Sequence, residues 1–218
     1  AGWISKTALT LAEIPMNIKI ILQGPSYDLT LEDRFPNIDG FNGTPNTEEA
    51  YLLLSRYDNN LQEGVVELTD LRNFEVLHVW NPDIDAFNDL VEQVDEFKYL
   101  YRDTNNQRNR LMHPKLTSDG GLLYQDYGPL RKIDACSNLI FQNDHDKFHH
   151  SIETDIDGNL WVPSHIYPQS LPIEQVGREI VEQGGFWDDT IVKLSSDGKI
   201  LFEKSVSQIF IDNGLEYL

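Results

Sequence analysis

Cysteine is almost absent from this sequence. Cys136 is the only one among 218 residues, so no intrachain disulfide can form, and a zinc site built from several cysteines is excluded. Long hydrophobic runs are also lacking, since none reaches the ~18 residues that a helix needs to cross a bilayer. The sequence contains neither a glycine-rich phosphate loop nor a Ser-His-Asp nucleophile motif, which argues against a nucleotide-dependent enzyme and a serine hydrolase.

Basic residues are scarce. The 17 lysines and arginines stand against 36 acidic residues, giving a net charge of −19. Such a surface repels phosphate backbones, so nucleic acid is not an expected partner. The charge suits either a solubilising coat or an acidic patch that binds cations. Because 40% of the residues are hydrophobic and 11% are aromatic, a folded globule is predicted.

The chain divides by pattern into two parts. Residues 1–48 are predicted to be an N-terminal segment and linker, because residues 23–50 are rich in Gly, Pro, Asn and Asp without a sustained period. Residues 49–218 carry short runs of β-branched, aromatic and leucine side chains, which are typical of strands. The predicted strands form three groups: 50–55, 64–68 and 74–80; 114–117, 122–124, 130–134 and 139–141; and 150–154, 159–162, 190–194 and 199–203.

Between the first two groups the periodicity changes. Residues 84–110 place apolar side chains at helical spacing, which predicts one short amphipathic helix. Asp-Gly pairs at 119–120, 157–158 and 197–198 predict tight hairpin turns, because glycine adopts the positive φ that such turns need.

The strand groups repeat the same order. Gly120 and Gly158, in corresponding turns, lie 38 residues apart, a spacing close to that of β-propeller blades. We therefore predict a mainly β chain of about three four-stranded blades, with one short helix and an inserted loop at residues 163–188. Three blades make an incomplete ring, so the polypeptide is expected to continue beyond Leu218 or to pair with another chain.

Three stretches resemble the arylsulfotransferase family of six-bladed propellers. They are residues 51–80 with their Val-x-His-x-Trp-like end, the histidine-led strand and Asp-Gly-Asn turn at 148–162, and the Thr-Ile-Val-Lys-Leu hairpin at 188–203. Together they cover about residues 48–205. The resemblance implies transfer of a sulfuryl group from an aryl sulfate to a phenol through a histidine intermediate, without a cofactor or a metal. It also implies a periplasmic or extracellular location, with a possible membrane anchor outside this sequence.

The resemblance suggests which residues act. His150, or His149 in the adjacent register, matches a sulfuryl-binding histidine of the family, whereas the family's nucleophile belongs to later blades. His113 holds the comparable place before the second group, and His165 and Trp187 lie in the inserted loop, so these three are candidate substrate-binding residues. Each could instead be structural. The alternative function is a non-catalytic propeller that binds a protein or glycan through the 163–188 loop.

Overall fold

The structure, a computed structural model, describes residues 40–172 and 186–215. This part of the chain is mainly β, as predicted, and its eleven strands pair in an antiparallel manner. The strands are β1 (Tyr51–Asp58), β2 (Glu63–Asp70), β3 (Glu75–Trp80), β4 (Met112–Leu116), β5 (Leu122–Gln125), β6 (Gly128–Ile133), β7 (Leu139–Phe148), β8 (Glu153–Thr154), β9 (Leu160–His165), β10 (Asp189–Leu194) and β11 (Ile200–Ser205).

The strands form two sheets. β1, β2 and β3 make a three-stranded meander, and the remaining strands make a sheet in the order β11-β10-β9-β7-β6-β5-β4, with β8 beside β9. The long strand β7 joins two groups within this second sheet. Residues 139–143 pair with β6, and Lys147 and Phe148 pair with His165 and Ser164 of β9, while Phe148 also pairs with Gly128 of β6. The predicted three groups are therefore all present, although the first has three strands in the described residues.

The three groups pack face to face. Because side chains alternate along a strand, Leu122 and Tyr124 of β5 point to one face of the sheet and Leu123 to the other. The first two belong to a core shared with Val66 and Trp80 of the meander. Leu123 belongs to a second core that includes Val192 of β10. The middle group is thus buried on both faces, between its two neighbours.

Tight turns of one geometry connect the strands at one edge. In the turn after β4, the amide of Thr117 donates to the carbonyl of Gly121 and that of Gly120 donates to the carbonyl of Thr117. The same pair of hydrogen bonds recurs in turns 134–138, 155–159 and 195–199. Gly120, Gly158 and Gly198 have φ of 81°, 81° and 83°, which confirms the predicted role of the three Asp-Gly pairs.

The single helix predicted within residues 84–110 is wrong. This segment contains α1 (Ile84–Asn88), a 3₁₀ helix (Asp95–Phe97) and α2 (Leu100–Asp103), and a further helix, α3 (Val206–Asp212), follows β11. Asn88 ends α1 because its buried side-chain amide donates to the carbonyl of Thr104, 2.6 Å away, and its side-chain oxygen accepts from Arg131. None of the described helices has the length and apolar character of a membrane span.

The inserted loop lies between two paired strands. β9 and β10 are adjacent although residues 166–188 separate them in sequence. Residues 173–185 of this loop, residues 1–39 of the predicted N-terminal segment and the predicted continuation past Leu218 lie outside the described residues. The boundary at residue 48 stays a prediction.

Candidate functional site

The five candidate residues come together at one end of the strands of the second sheet. His113 lies in β4, His149 and His150 follow β7, His165 ends β9, and Trp187 precedes β10. The histidines that follow β7, His165 and Trp187 lie at the same end because β9 pairs with the end of β7 on one side and with the start of β10 on the other. Antiparallel pairing therefore places side chains from well-separated parts of the sequence next to one another. We call these five residues the histidine cluster.

His149 lies at the centre of the histidine cluster. It is 5% exposed, and its ring centroid is 4.2 Å from that of His165 and 4.7 Å from that of His150. The Nδ1 atoms of His149 and His150 are 2.6 Å apart, so one nitrogen donates and the other accepts. His113 stacks on His150 at 6.1 Å, and Trp187 lies 4.9 Å from His165.

Two of these histidines have a backbone in the left-handed conformation. His113 and His150 have φ of 47° and 61°, and Tyr127 in the intervening turn has φ of 51°. Such conformations cost side-chain-bearing residues about 1 kcal/mol each, so neighbouring contacts must hold them. The buried Gln125 does this for two of them, because its side chain donates to the carbonyl of His150 at 2.7 Å and accepts from the amide of Tyr127 at 3.0 Å.

The two inner imidazoles share a carboxylate. Oδ1 of Asp189 lies 3.2 Å from Nε2 of His149 and 3.0 Å from Nε2 of His165. Burial lowers the pKa of both histidines, and the charge of Asp189 opposes that effect. The pKa shifts therefore favour neutral imidazoles, which can accept or donate hydrogen bonds or bind a metal.

The histidine cluster opens into a cavity of about 540 Å³. Besides the histidines behind it, the lining includes two cationic side chains, Arg110 and Lys147, and the ring of Tyr127. Three carboxyl groups also line it: Asp103, Asp126 and Asp189. Arg110 is tied to the buried Asp126 by an ion pair of 2.8 Å. A small anion with an aromatic substituent would find both charge and ring surfaces here.

A second groove of about 460 Å³ adjoins the first and shares Lys147, His165 and Trp187 with it. Aromatic side chains from the 166–188 loop and from the helical segment line it, including Tyr99 and Tyr167. Trp187, 57% exposed, borders both spaces. An elongated ligand could therefore reach the histidines along this groove.

Residues 117–218 match the family model described as Arylsulfotransferase (ASST). The match spans just under half of the chain and makes these residues similar to the arylsulfotransferase family. The matched residues hold His149, His150, His165 and Trp187 of the histidine cluster, and His113 lies just before them. A comparison of the whole chain with curated proteins gave no match.

A group of buried carboxyls lies near the histidine cluster, and no sequence pattern indicated it. Asp146 is 1% exposed and accepts a hydrogen bond of 2.8 Å from Ser164. Burial raises the pKa of Asp146 well above its usual range, and the neighbouring carboxyl of Glu203 raises it further. Burial likewise raises the pKa of Glu96 to about 7. With His145, Asp146 and Glu203 bring three potential ligand atoms within 4.8 Å of one another.

Sequence reasoning also missed Asp189 and Gln125. Asp189 is an ordinary acidic residue at the start of a strand, and only the register of β10 on β9 places it beside the two histidines. Gln125 is the last residue of β5 and belongs to no motif. Neither carries a local signal of its place in the site, since the histidines that each contacts are at least 24 positions away in sequence.

Proposed function

We propose that the chain forms the N-terminal portion of an enzyme that transfers a sulfuryl group from an aryl sulfate to a phenolic acceptor through a histidine intermediate. The carrying observation is the convergence of His149, His150, His165 and Trp187 on one cavity, within residues similar to the arylsulfotransferase family model. Face-to-face packing of three strand groups supports reading them as propeller blades, with the cavity at one end of the strands.

Each group has a distinct part in this proposal. If the Nδ1–H of His149 donates to Nδ1 of His150, then Nε2–H of the exposed His150 is free to donate to a sulfuryl oxygen. The cations of Arg110 and Lys147 stabilise the negative charge of the sulfate ester. Trp187 offers a face for the aromatic ring of donor or acceptor.

The chemical step is an exchange of partners on sulfur. A histidine nitrogen attacks the sulfur of the aryl sulfate, the bond from sulfur to the phenolic oxygen breaks, and the phenolate leaves. The oxygen of a second phenol, as it loses its proton, then attacks the sulfur and releases the histidine. In our proposal the nucleophilic histidine comes from further blades, and His150 binds the sulfuryl oxygens in both steps. We also propose a periplasmic or extracellular location, as the family resemblance suggests.

Turnover of a chromogenic aryl sulfate with a phenol acceptor tests the proposal, with the further blades present. His150→Asn should lower kcat/KM by about 10²-fold or more, the usual effect of losing one donor to a developing charge. His145→Asn is the matched control, because that histidine is exposed and is not among the residues lining the cavity. Equal turnover of wild-type protein and His150→Asn would remove His150 from the site.

A non-catalytic role in binding a glycan is the second candidate. The exposed faces of Tyr99, Tyr167 and Trp187 along the second groove favour it, because sugar rings stack on aromatic side chains. This reading predicts binding of an oligosaccharide, without turnover of any aryl sulfate, that is lost in Trp187→Ala. Sulfuryl transfer by the wild-type protein would rule it out as the main function.

A further inference from the structure

The arrangement of His149, His165 and Asp189 has the geometry of a metal site. Their three potential ligand atoms lie within 4.8 Å of one another. The distances from Asp189 Oδ1 to the two Nε2 atoms, 3.2 and 3.0 Å, match the separation of about 3.0–3.4 Å between atoms that are each ~2.1 Å from one ion. No two of these residues are neighbours in sequence, so spacing alone gave no indication of the site.

Hydrogen bonding points the same way. Nε2 of His149 is buried and has no hydrogen-bond partner among the described residues, although Asp189 Oδ1 is 3.2 Å from it. When Nδ1 of His149 donates to His150, Nε2 carries a lone pair facing the carboxylate. A nitrogen lone pair and an anionic oxygen repel each other unless a cation lies between them.

The His149–His150 contact also matches what metal-binding histidines need. Such a histidine almost always donates its second ring N–H to an acceptor, which fixes its tautomer and ring orientation. His150 Nδ1 is placed to be that acceptor at 2.6 Å. The other two ligands are held by the sheet, because Asp189 and His165 are directly paired residues of β10 and β9.

We propose that His149 Nε2, His165 Nε2 and Asp189 Oδ1 bind one divalent metal ion of the zinc class. Two imidazoles and one carboxylate leave a coordination position open, as in zinc sites that bind a water or a substrate oxygen. The ligands line the cavity of about 540 Å³, so this position is available to a small molecule there. The inference does not depend on sulfuryl transfer, because it concerns binding of the ion alone.

Cobalt(II) titration of the full 218-residue chain, free of any histidine tag and stripped with a chelator, tests this proposal. We expect one equivalent of Co²⁺ to give visible absorption bands that Zn²⁺ then abolishes by displacement. Asp189→Ala should weaken Co²⁺ binding by more than about tenfold, the smallest loss typical of disturbing even outer partners of metal ligands. The Asp189 side chain is 56% exposed, so this variant should fold, which circular dichroism checks.

Two comparisons make the result specific. His165→Ala should weaken binding like Asp189→Ala, whereas His145→Gln should bind Co²⁺ as the wild type does. His145 is the matched control because it, too, is a histidine near a carboxylate, Glu203, at 3.5 Å. The proposal is overturned if wild-type protein gives no cobalt spectrum with millimolar Co²⁺. It is also overturned if Asp189→Ala retains wild-type affinity, or if only His145→Gln loses it.

Discussion

Substitution of Asp188 offers the sharpest test of which contacts stabilise the end of the sheet that carries the histidine cluster. Asp188 is 1% exposed and lies between Trp187 and Asp189 in sequence. Its Oδ2 accepts hydrogen bonds from the amide and hydroxyl of Ser170, at 2.8 and 2.5 Å, and its Oδ1 accepts one from the hydroxyl of Ser205 at 2.6 Å. One buried carboxylate thus ties the 166–188 loop to the start of α3.

The expected losses follow from these three bonds. Asp188→Ala leaves three donors without their acceptor, and at about 1.5–3 kcal/mol for a bond to a charged group, reduced by relaxation, it should lower the free energy of unfolding by about 3–5 kcal/mol. Asp188→Asn keeps one oxygen for the two donors of Ser170. Ser205 can turn its hydroxyl to accept from the new amide, so a loss of about 1–2 kcal/mol is expected.

Urea unfolding followed by tryptophan fluorescence and circular dichroism measures these differences. Asp157→Ala, in an exposed turn, is the control and should stay within about 0.5 kcal/mol of wild type. The reasoning is refuted if Asp188→Ala is no less stable than the control. An Asn variant as damaged as the Ala variant would show that negative charge, rather than hydrogen-bond acceptance, is what the site requires.

Two further predictions concern stability. Burial raises the pKa of Asp146 and Glu96, so the folded protein holds protons that the unfolded chain has already released. The free energy of unfolding should therefore fall as the pH rises from about 5 to 8, by at most about 1.4 kcal/mol per pH unit for each proton. Urea unfolding across this range checks it, Asp146→Asn should flatten the profile, and a wild-type profile that rises with pH would contradict it. Gly64→Ala should cost more than about 2 kcal/mol, because its Cβ would lie 2.2 Å from the carbonyl oxygen of Asn109. Gly43→Ala, with open space around it, should be neutral in the same thermal or urea unfolding, and equal stability of the two variants would refute the clash.

The strands and their turns could be predicted because their signals are local. Alternating side chains and Asp-Gly pairs determine the structure of only the few residues around them, so the hairpin turn that contains Gly158 could be located from its own sequence. The helical segment could not be predicted in this way. Leu90 and Val94, which the period placed on the buried face, are 66% and 40% exposed, because the side chain of Asn88 bonds across to Thr104 and the backbone at Val94 is extended.

The sequence indicated the histidines and Trp187 as candidates for the site, but not the residues that hold them. His113 and His150 stood at comparable places before repeated strands, and they share left-handed backbone and stack on each other in the structure. Asp189 and Gln125 were missed because pairing between distant strands, rather than any local pattern, gives them their neighbours.

The four equivalent turns have a practical consequence for labelling. They lie at the ends of the strands away from the histidine cluster, and Cys136, an exposed free cysteine, lies in one of them. A thiol-reactive dye would therefore attach at one known position without a second site to compete and without touching the cavity. Insertions for tethering or fusion can be directed to the same turns, so that the inserted segment and the cavity lie at opposite ends of the strands.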